Sequence, residues 1–259
     1  MPDKLEYERR LKEGRCTRCG NKLIGDRVGY AKCLTCQETE NERRRNIGSL
    51  NALTTIPSKV DLAMSRSMKR FLDPKETRIA LLDIESTGLF GDFDLPLCVV
   101  IKTYGTKETH VISINMERRS LLAAEKPLLI ETRDILETYD GMITYYGVGF
   151  DVPFLRTRML ANGMEPLGKM LHLDMYFTVR GKLRLSRNRL QSVIELLRFA
   201  DKDIPVKGRV DPEYWVKAAF GRDETALDYI VQHCIEDVDC LEAVVNKLRD
   251  FLPDKVSRK

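Results

Sequence analysis

The stretch Leu81-Leu82-Asp83-Ile84-Glu85-Ser86-Thr87-Gly88-Leu89 decides how the rest of the chain is read. Leu81, Leu82 and Ile84 make the apolar run of a buried strand, yet Asp83 and Glu85 stand inside it two residues apart. Alternate residues of a strand leave the same face about 6 to 7 Å apart, so both carboxylates are expected on one side of a sheet. Ser86-Thr87-Gly88 then breaks the strand and leaves room for another chain to come close. Two anions in such a place need cations, and the pair reads as the first half of a metal site.

Around this stretch the chain of 259 residues has 43% hydrophobic content, enough for one large domain and a small one. No apolar run reaches the length of a membrane span, and the charged opening MPDKLEYERRLKEG is followed by no apolar segment. A cytoplasmic location is therefore expected. The seven cysteines fall as two C-x2-C pairs and three singles, a pattern of metal binding in a reducing compartment rather than of a disulfide framework. Charge is uneven: residues 1–75 carry 17 Lys and Arg against 10 Asp and Glu, and the remainder 26 against 29. A basic front suits a polyanion, and surplus acid behind it suits a metal centre.

The front holds Cys16-Thr17-Arg18-Cys19 and Cys33-Leu34-Thr35-Cys36. Each pair makes a knuckle with two thiolates on one centre, and the two together complete tetrahedral coordination with no open position. A structural Zn²⁺ on Cys16, Cys19, Cys33 and Cys36 is expected, in a ribbon over residues 1–45 that is too small to fold without it. Residues 46–75, interrupted by Gly48, Pro57 and Pro74, read as a linker with one short helix around Val60 to Phe71, and the main domain is expected over residues 76–259.

In that domain Leu97 to Tyr104 and His110 to Ile114 read as strands antiparallel to their neighbours, Ile130 to Thr138 as a helix, Gly141 to Tyr146 as a strand and Val152 to Asn162 as the next helix. An α/β fold with a mixed sheet flanked by helices follows. Asp151 stands before Val152-Pro153, a position that also suits an N-cap. Arg180, Lys182 and Arg184 alternate, and in an extended segment they would form one basic face able to follow a phosphate backbone. Ala226 to Leu252 reads as a long helix whose stripe runs Leu227, Val231, Cys234, Val238, Leu241, Val245, Leu248 and Leu252, with Cys234 a core thiol. At about 100° per residue Asp237 lies roughly 70° from the stripe centre and His233 roughly 110° from it.

In this order the motifs LLDIESTGL, YYGVGFDVPFL and HCIEDVDCLEAV resemble the DEDD superfamily of 3′-to-5′ exonucleases, with a ribonuclease-H-like fold, over roughly residues 76 to 252. One departure stands out. The tyrosine subgroup has Tyr where this chain has His233, four residues before Asp237, and the histidine subgroup places its His one residue earlier. The resemblance implies a pair of Mg²⁺ or Mn²⁺ ions, with Asp83 bridging both, Glu85 and Asp237 completing the first, Asp151 acting through water, and His233 taking the proton of the attacking water. Single-stranded DNA or RNA ends are the implied substrate, DNA slightly favoured. A binding or scaffold protein that keeps the fold without turnover, and a structure-specific endonuclease, are the competing readings.

Overall fold

The structure, a computed structural model, describes residues 8–10, 12–16, 19, 21–23 and 65–257. The chain divides into two units, Met1–Leu62 and Ala63–Lys259. In the first unit Arg15 and Lys22 pair antiparallel, the Cys16 N–H donates to the Asn21 carbonyl at 2.8 Å, and Cys16 is buried. Cys33 and Cys36 lie outside the described residues, and with them the complete four-thiolate site.

The second unit opens with β1 (Ser65–Ser67) and the short helix α1 (Met68–Phe71). These residues, expected in a linker, belong instead to the larger unit: β1 pairs antiparallel with the last strand, β7 (Lys255–Ser257), and Met68 and Phe71 are buried. A three-residue strand carries too little periodicity to be seen without its partner.

The main sheet comprises β2 (Ile79–Ser86), β3 (Pro96–Thr103), β4 (Thr109–Ser113), β5 (Gly141–Thr144) and β6 (Leu171–Asp174), in the order β4-β3-β2-β5-β6. β3 is antiparallel to both of its neighbours, β2 and β4, whereas β5 and β6 run parallel to β2. β2 and β3 are buried along nearly their whole length, as central strands covered on both faces must be. β4 is largely exposed at the edge. The register of β2 on β3 shifts between Glu85 and Ser86, a bulge of the kind that re-aims side chains at a strand end.

Helix α2 (Leu121–Leu136) is longer than the expected Ile130 to Thr138. It starts at Ser120, whose side chain accepts from the Ala123 N–H, and runs through Pro127. The proline forfeits one bond to the preceding turn, and burial of Leu128, Leu129 and Leu136 offsets that cost. Next come α3 (Asp151–Ala161), α4 (Met175–Lys182), α5 (Leu190–Ala200) and α6 (Pro212–Val216), the last followed by a π-helical turn over Lys217–Gly221.

The long C-terminal helix α7 (Glu224–Lys247) is capped by Asp223, which accepts from the Ala226 N–H at 3.0 Å, and it ends five residues earlier than expected, a 3-10 turn over Arg249–Phe251 following Leu248. It lies across β2 and β3. Its buried arc takes in Ala226, Ile230, His233, Cys240 and Val244 as well as most of the expected stripe. The mixed sheet flanked by helices is thus the fold. Among the described residues no helix is long and apolar enough to cross a membrane.

Candidate active site

Asp83 and Glu85 leave β2 on the side that faces α7. Asp83 lies deep: the Cys234 thiol on α7 donates to its Oδ2 at 3.2 Å and to its carbonyl oxygen at 3.4 Å. Cys234, read from the sequence as a core thiol, is buried and also holds a carboxylate in place. Glu85 accepts from the indole Nε1–H of Trp215 at 3.2 Å.

Asp151 is the first residue of α3, and the helix has no side-chain cap at Phe150. Its carboxylate turns to the central strand and accepts from the Ile84 N–H at 3.2 Å. It is therefore a buried acid beside Asp83 rather than an N-cap. The loop before it is held by Asp174 at the end of β6, which accepts from the Tyr146, Val148 and Tyr176 N–H groups at 2.8, 3.0 and 3.0 Å. Tyr146 takes a left-handed φ of 68°, uncommon for a residue with a Cβ. A Cβ at Gly149 would lie 2.5 Å from the Tyr146 ring, so the glycine lets that ring lie close over the backbone.

On α7, Asp237 divides its oxygens. Oδ1 is ion-paired with Lys207, and Oδ2 lies 4.0 Å from Nε2 of His233. His233 is 4% exposed and packs edge-on against Trp215, with ring centroids 5.7 Å apart. The sequence angle placed His233 farther from the core than Asp237, and the structure reverses that order, because α6 and the Trp215 ring cover this flank of the helix. One ligand atom from each of Glu85, His233 and Asp237 lies within 4.8 Å of the other two.

This crowding shows in the proton affinities. Burial, and then the charges of Asp237, Asp151 and Glu85, push the Asp83 carboxyl well above its usual range. Burial and Asp237 raise Glu85 to about 8, although Lys207 opposes them. Burial raises Asp151 to about 7 against its backbone hydrogen bonds. Burial lowers the pKa of His233, against the pull of Asp237. Lys207 offsets the charge at Asp237 and Glu85, and the four carboxylates make a donor set of hard oxygens that fits divalent cations.

Asp83, Glu85, Asp151, His233 and Asp237 thus come together from β2, α3 and α7. Arg180, Lys182 and Arg184 do not join them. Arg180 and Lys182 lie in α4, where two residues turn the chain by about 200°, so the single basic face of an extended segment does not form. The sequence reading missed Lys207, Trp215 and Asp174. Only Asp174 left a local signal, as an acid closing an apolar strand before a helix. The other two act across long sequence separations.

Beside the acids, the loop between β2 and β3 exposes Leu89, Phe90 and Phe93. Leu89 and Phe90 border a cleft with Gly149, Phe150 and Phe154. The middle of this loop is anchored by Arg158, which donates to the Gly91 carbonyl at 3.0 Å and pairs with the fully buried Glu125 through bonds of 2.5 and 2.8 Å.

A five-stranded mixed sheet with an acidic centre at the end of its central strand defines an α/β protein of ribonuclease-H-like fold. A model of the RNase_H superfamily matches residues 80–249, more than half of the chain, and the chain belongs to that superfamily. No curated protein matches it by sequence. Among solved structures it is similar to the family B DNA polymerase from the hyperthermophilic archaeon Pyrobaculum calidifontis, with a TM-score of 0.53 and 17% identity. That match covers 67% of this chain and 24% of the polymerase chain, and it speaks for the fold.

Proposed function

We propose that the protein is a divalent-metal-dependent nuclease of the DEDD type that removes nucleotides from the 3′ end of single strands. The observation that carries this reading is the convergence of Asp83, Glu85, Asp151 and Asp237 on one partly buried centre with Lys207 as the cation beside them. Carboxylates held together at that cost to their ionisation are explained by a ligand that neutralises them.

Asp83, Glu85 and Asp237 would hold the cations directly, and Asp151 through water. Bound there, two divalent ions supply an acidified water, charge neutralisation at the phosphate and help for the leaving oxygen. The residues of the chain orient these ligands: Cys234 fixes Asp83, Trp215 fixes Glu85, and the Ile84 N–H fixes Asp151. The His233 ring is kept neutral near pH 7 by burial, so the Nε2 lone pair can take a proton or bind a cation. Exposed Phe90 and Phe93 offer aromatic faces on which unpaired bases can stack, with Leu89 as an apolar neighbour, which supports a single-stranded substrate. Exposed Arg180, Lys182 and Arg184 remain candidate phosphate contacts as separate side chains rather than as one track. A structural Zn²⁺ on Cys16, Cys19, Cys33 and Cys36 belongs to the same proposal, and the metal content of purified protein tests it.

One observation favours binding without turnover as the second reading: Lys207 already supplies a positive charge at Asp237. Incubation with 5′-labelled single-stranded DNA and RNA in Mg²⁺, Mn²⁺ or EDTA, beside Asp83→Ala, separates the two. A metal-dependent ladder shortening from the 3′ end and absent in the variant is expected. Equal cleavage by the variant overturns the metal reading, discrete internal products indicate an endonuclease, and binding without cleavage establishes the second reading.

A further inference from the structure

We propose that His233 is a nitrogen ligand of the metal centre, so that Glu85, His233 and Asp237 form a mixed oxygen and nitrogen site that selects a transition-metal dication over Mg²⁺. This rests on reading the acidic cluster as a metal centre and adds the identity of the third donor and of the ion.

The geometry supplies the argument. Ligand atoms of the three residues lie within 4.8 Å of one another, and three donors each about 2.1 Å from one ion stand about 3.0 to 3.6 Å apart, so side-chain adjustments of about an ångström close the set. The imidazole is 4% exposed, and neither ring nitrogen makes a hydrogen bond to a described residue.

Its orientation is set by the neighbours. Trp215 meets the ring edge-on. The Gly208 backbone closes the Nδ1 side, where a Cβ at Gly208 would lie 3.6 Å from Nδ1, and this leaves Nε2 facing Asp237 Oδ2 at 4.0 Å. Asp237 keeps Oδ2 for this side because Lys207 engages Oδ1. A gap of 4.0 Å between a ring nitrogen and a carboxylate oxygen is too long for a hydrogen bond and is a span that an ion between them can bridge. Imidazole binds first-row transition metals better than it binds Mg²⁺, which prefers oxygen and keeps its water.

Mn²⁺ is the probe, because it leaves zinc thiolate sites alone and reports its own ligands. Electron spin echo modulation of Mn²⁺ bound to the wild-type full chain is expected to show a coupled ¹⁴N nucleus. In competition titrations the wild type is expected to bind Mn²⁺ at least about tenfold more tightly than Mg²⁺. His233→Gln should lower Mn²⁺ affinity by about tenfold while Mg²⁺ affinity moves less than about twofold. Absence of ¹⁴N modulation in the wild type overturns the proposal whether or not the variant folds. So does Mn²⁺ affinity that survives His233→Gln unchanged in a variant of normal melting temperature. Because these readouts need no turnover, a chain that shows nitrogen-ligated Mn²⁺ but cuts no nucleic acid keeps this inference and loses the nuclease reading.

Discussion

The Cys234 thiol on α7 stands 3.2 Å from Oδ2 and 3.4 Å from the carbonyl oxygen of Asp83 on β2, so the long helix and the central strand are tied together at one of the acids of the site. A carboxylate that must ligate a cation gains from a partner that fixes its rotamer. Partners behind metal ligands commonly contribute ten- to hundredfold in affinity, so Cys234→Ala should weaken Mn²⁺ binding by about tenfold. Cys234→Ser keeps a donor and should stay within about threefold of wild type. Calorimetric titration of both variants checks this, and equal losses in the two would show that the thiol matters only for packing.

The raised carboxyls make the metal-free fold sensitive to alkali. Glu85 is raised from 4.5 to about 8 and Asp151 from 3.8 to about 7, so between the lower and upper value of each the folded chain binds a proton that the unfolded chain has released. Unfolding then releases protons, and stability falls as pH rises through that window. In EDTA the melting temperature should drop from pH 5 to pH 8, and Glu85→Gln should flatten the drop. Saturating Mn²⁺ should restore more stability at pH 8 than at pH 5, because cations bind the ionised forms. A melting temperature that rises over this range would contradict the clustering of the acids.

Lys207 acts on the same balance from the other side. It neutralises Asp237 and lowers the proton affinity of Glu85, so it also repels an incoming cation. One unit charge at 4 Å contributes about 1 kcal/mol even in bulk water, so Lys207→Met should tighten Mn²⁺ binding by about fivefold or more. The same variant should melt lower than wild type in EDTA. Weaker Mn²⁺ binding in a folded Lys207→Met protein would mean that the lysine orders the site rather than competing for it.

Glu125 and Arg158 form a buried pair between α2 and α3, with Asn162 donating to Glu125 at 2.8 Å and Arg158 reaching the Gly91 carbonyl at 3.0 Å. Removing one member of such a pair strands the other charge, and Glu125→Ala should cost about 3 to 5 kcal/mol in urea unfolding. Because Arg158 also holds the loop that carries Leu89, Phe90 and Phe93, proteolysis at this loop should quicken. A cost under about 1 kcal/mol would show that the guanidinium finds water or another acid.

The chain announced its acids locally. Asp83 and Glu85 were legible because a strand has a period of two and the apolar residues around them are contiguous. Asp151 and Asp237 were legible from the glycine-loosened strand end and the stripe of the last helix. The antiparallel start of the sheet followed from short links between strands, and its continuation as a mixed sheet from the alternation with helices.

What surrounds the acids was settled by tertiary packing. The width of a helix's buried arc depends on what lies against it, and only the placement of Trp215 beside α7 buries His233 more fully than Asp237. Lys207 meets Asp237 across 30 residues, Trp215 meets Glu85 across 130, and Cys234 meets Asp83 across 151. No periodicity records such pairs. Arg180 and Lys182 point apart because their segment is a helix, a choice made where Met175, Thr178 and Val179 are buried rather than by the charges themselves. Sequence alone therefore determined which carboxylates the protein has and which strand and helices carry them, since those follow from local periodicity. Their partners, burial and proton affinity were decided by the fold, because electrostatic and packing energies depend on distance in space.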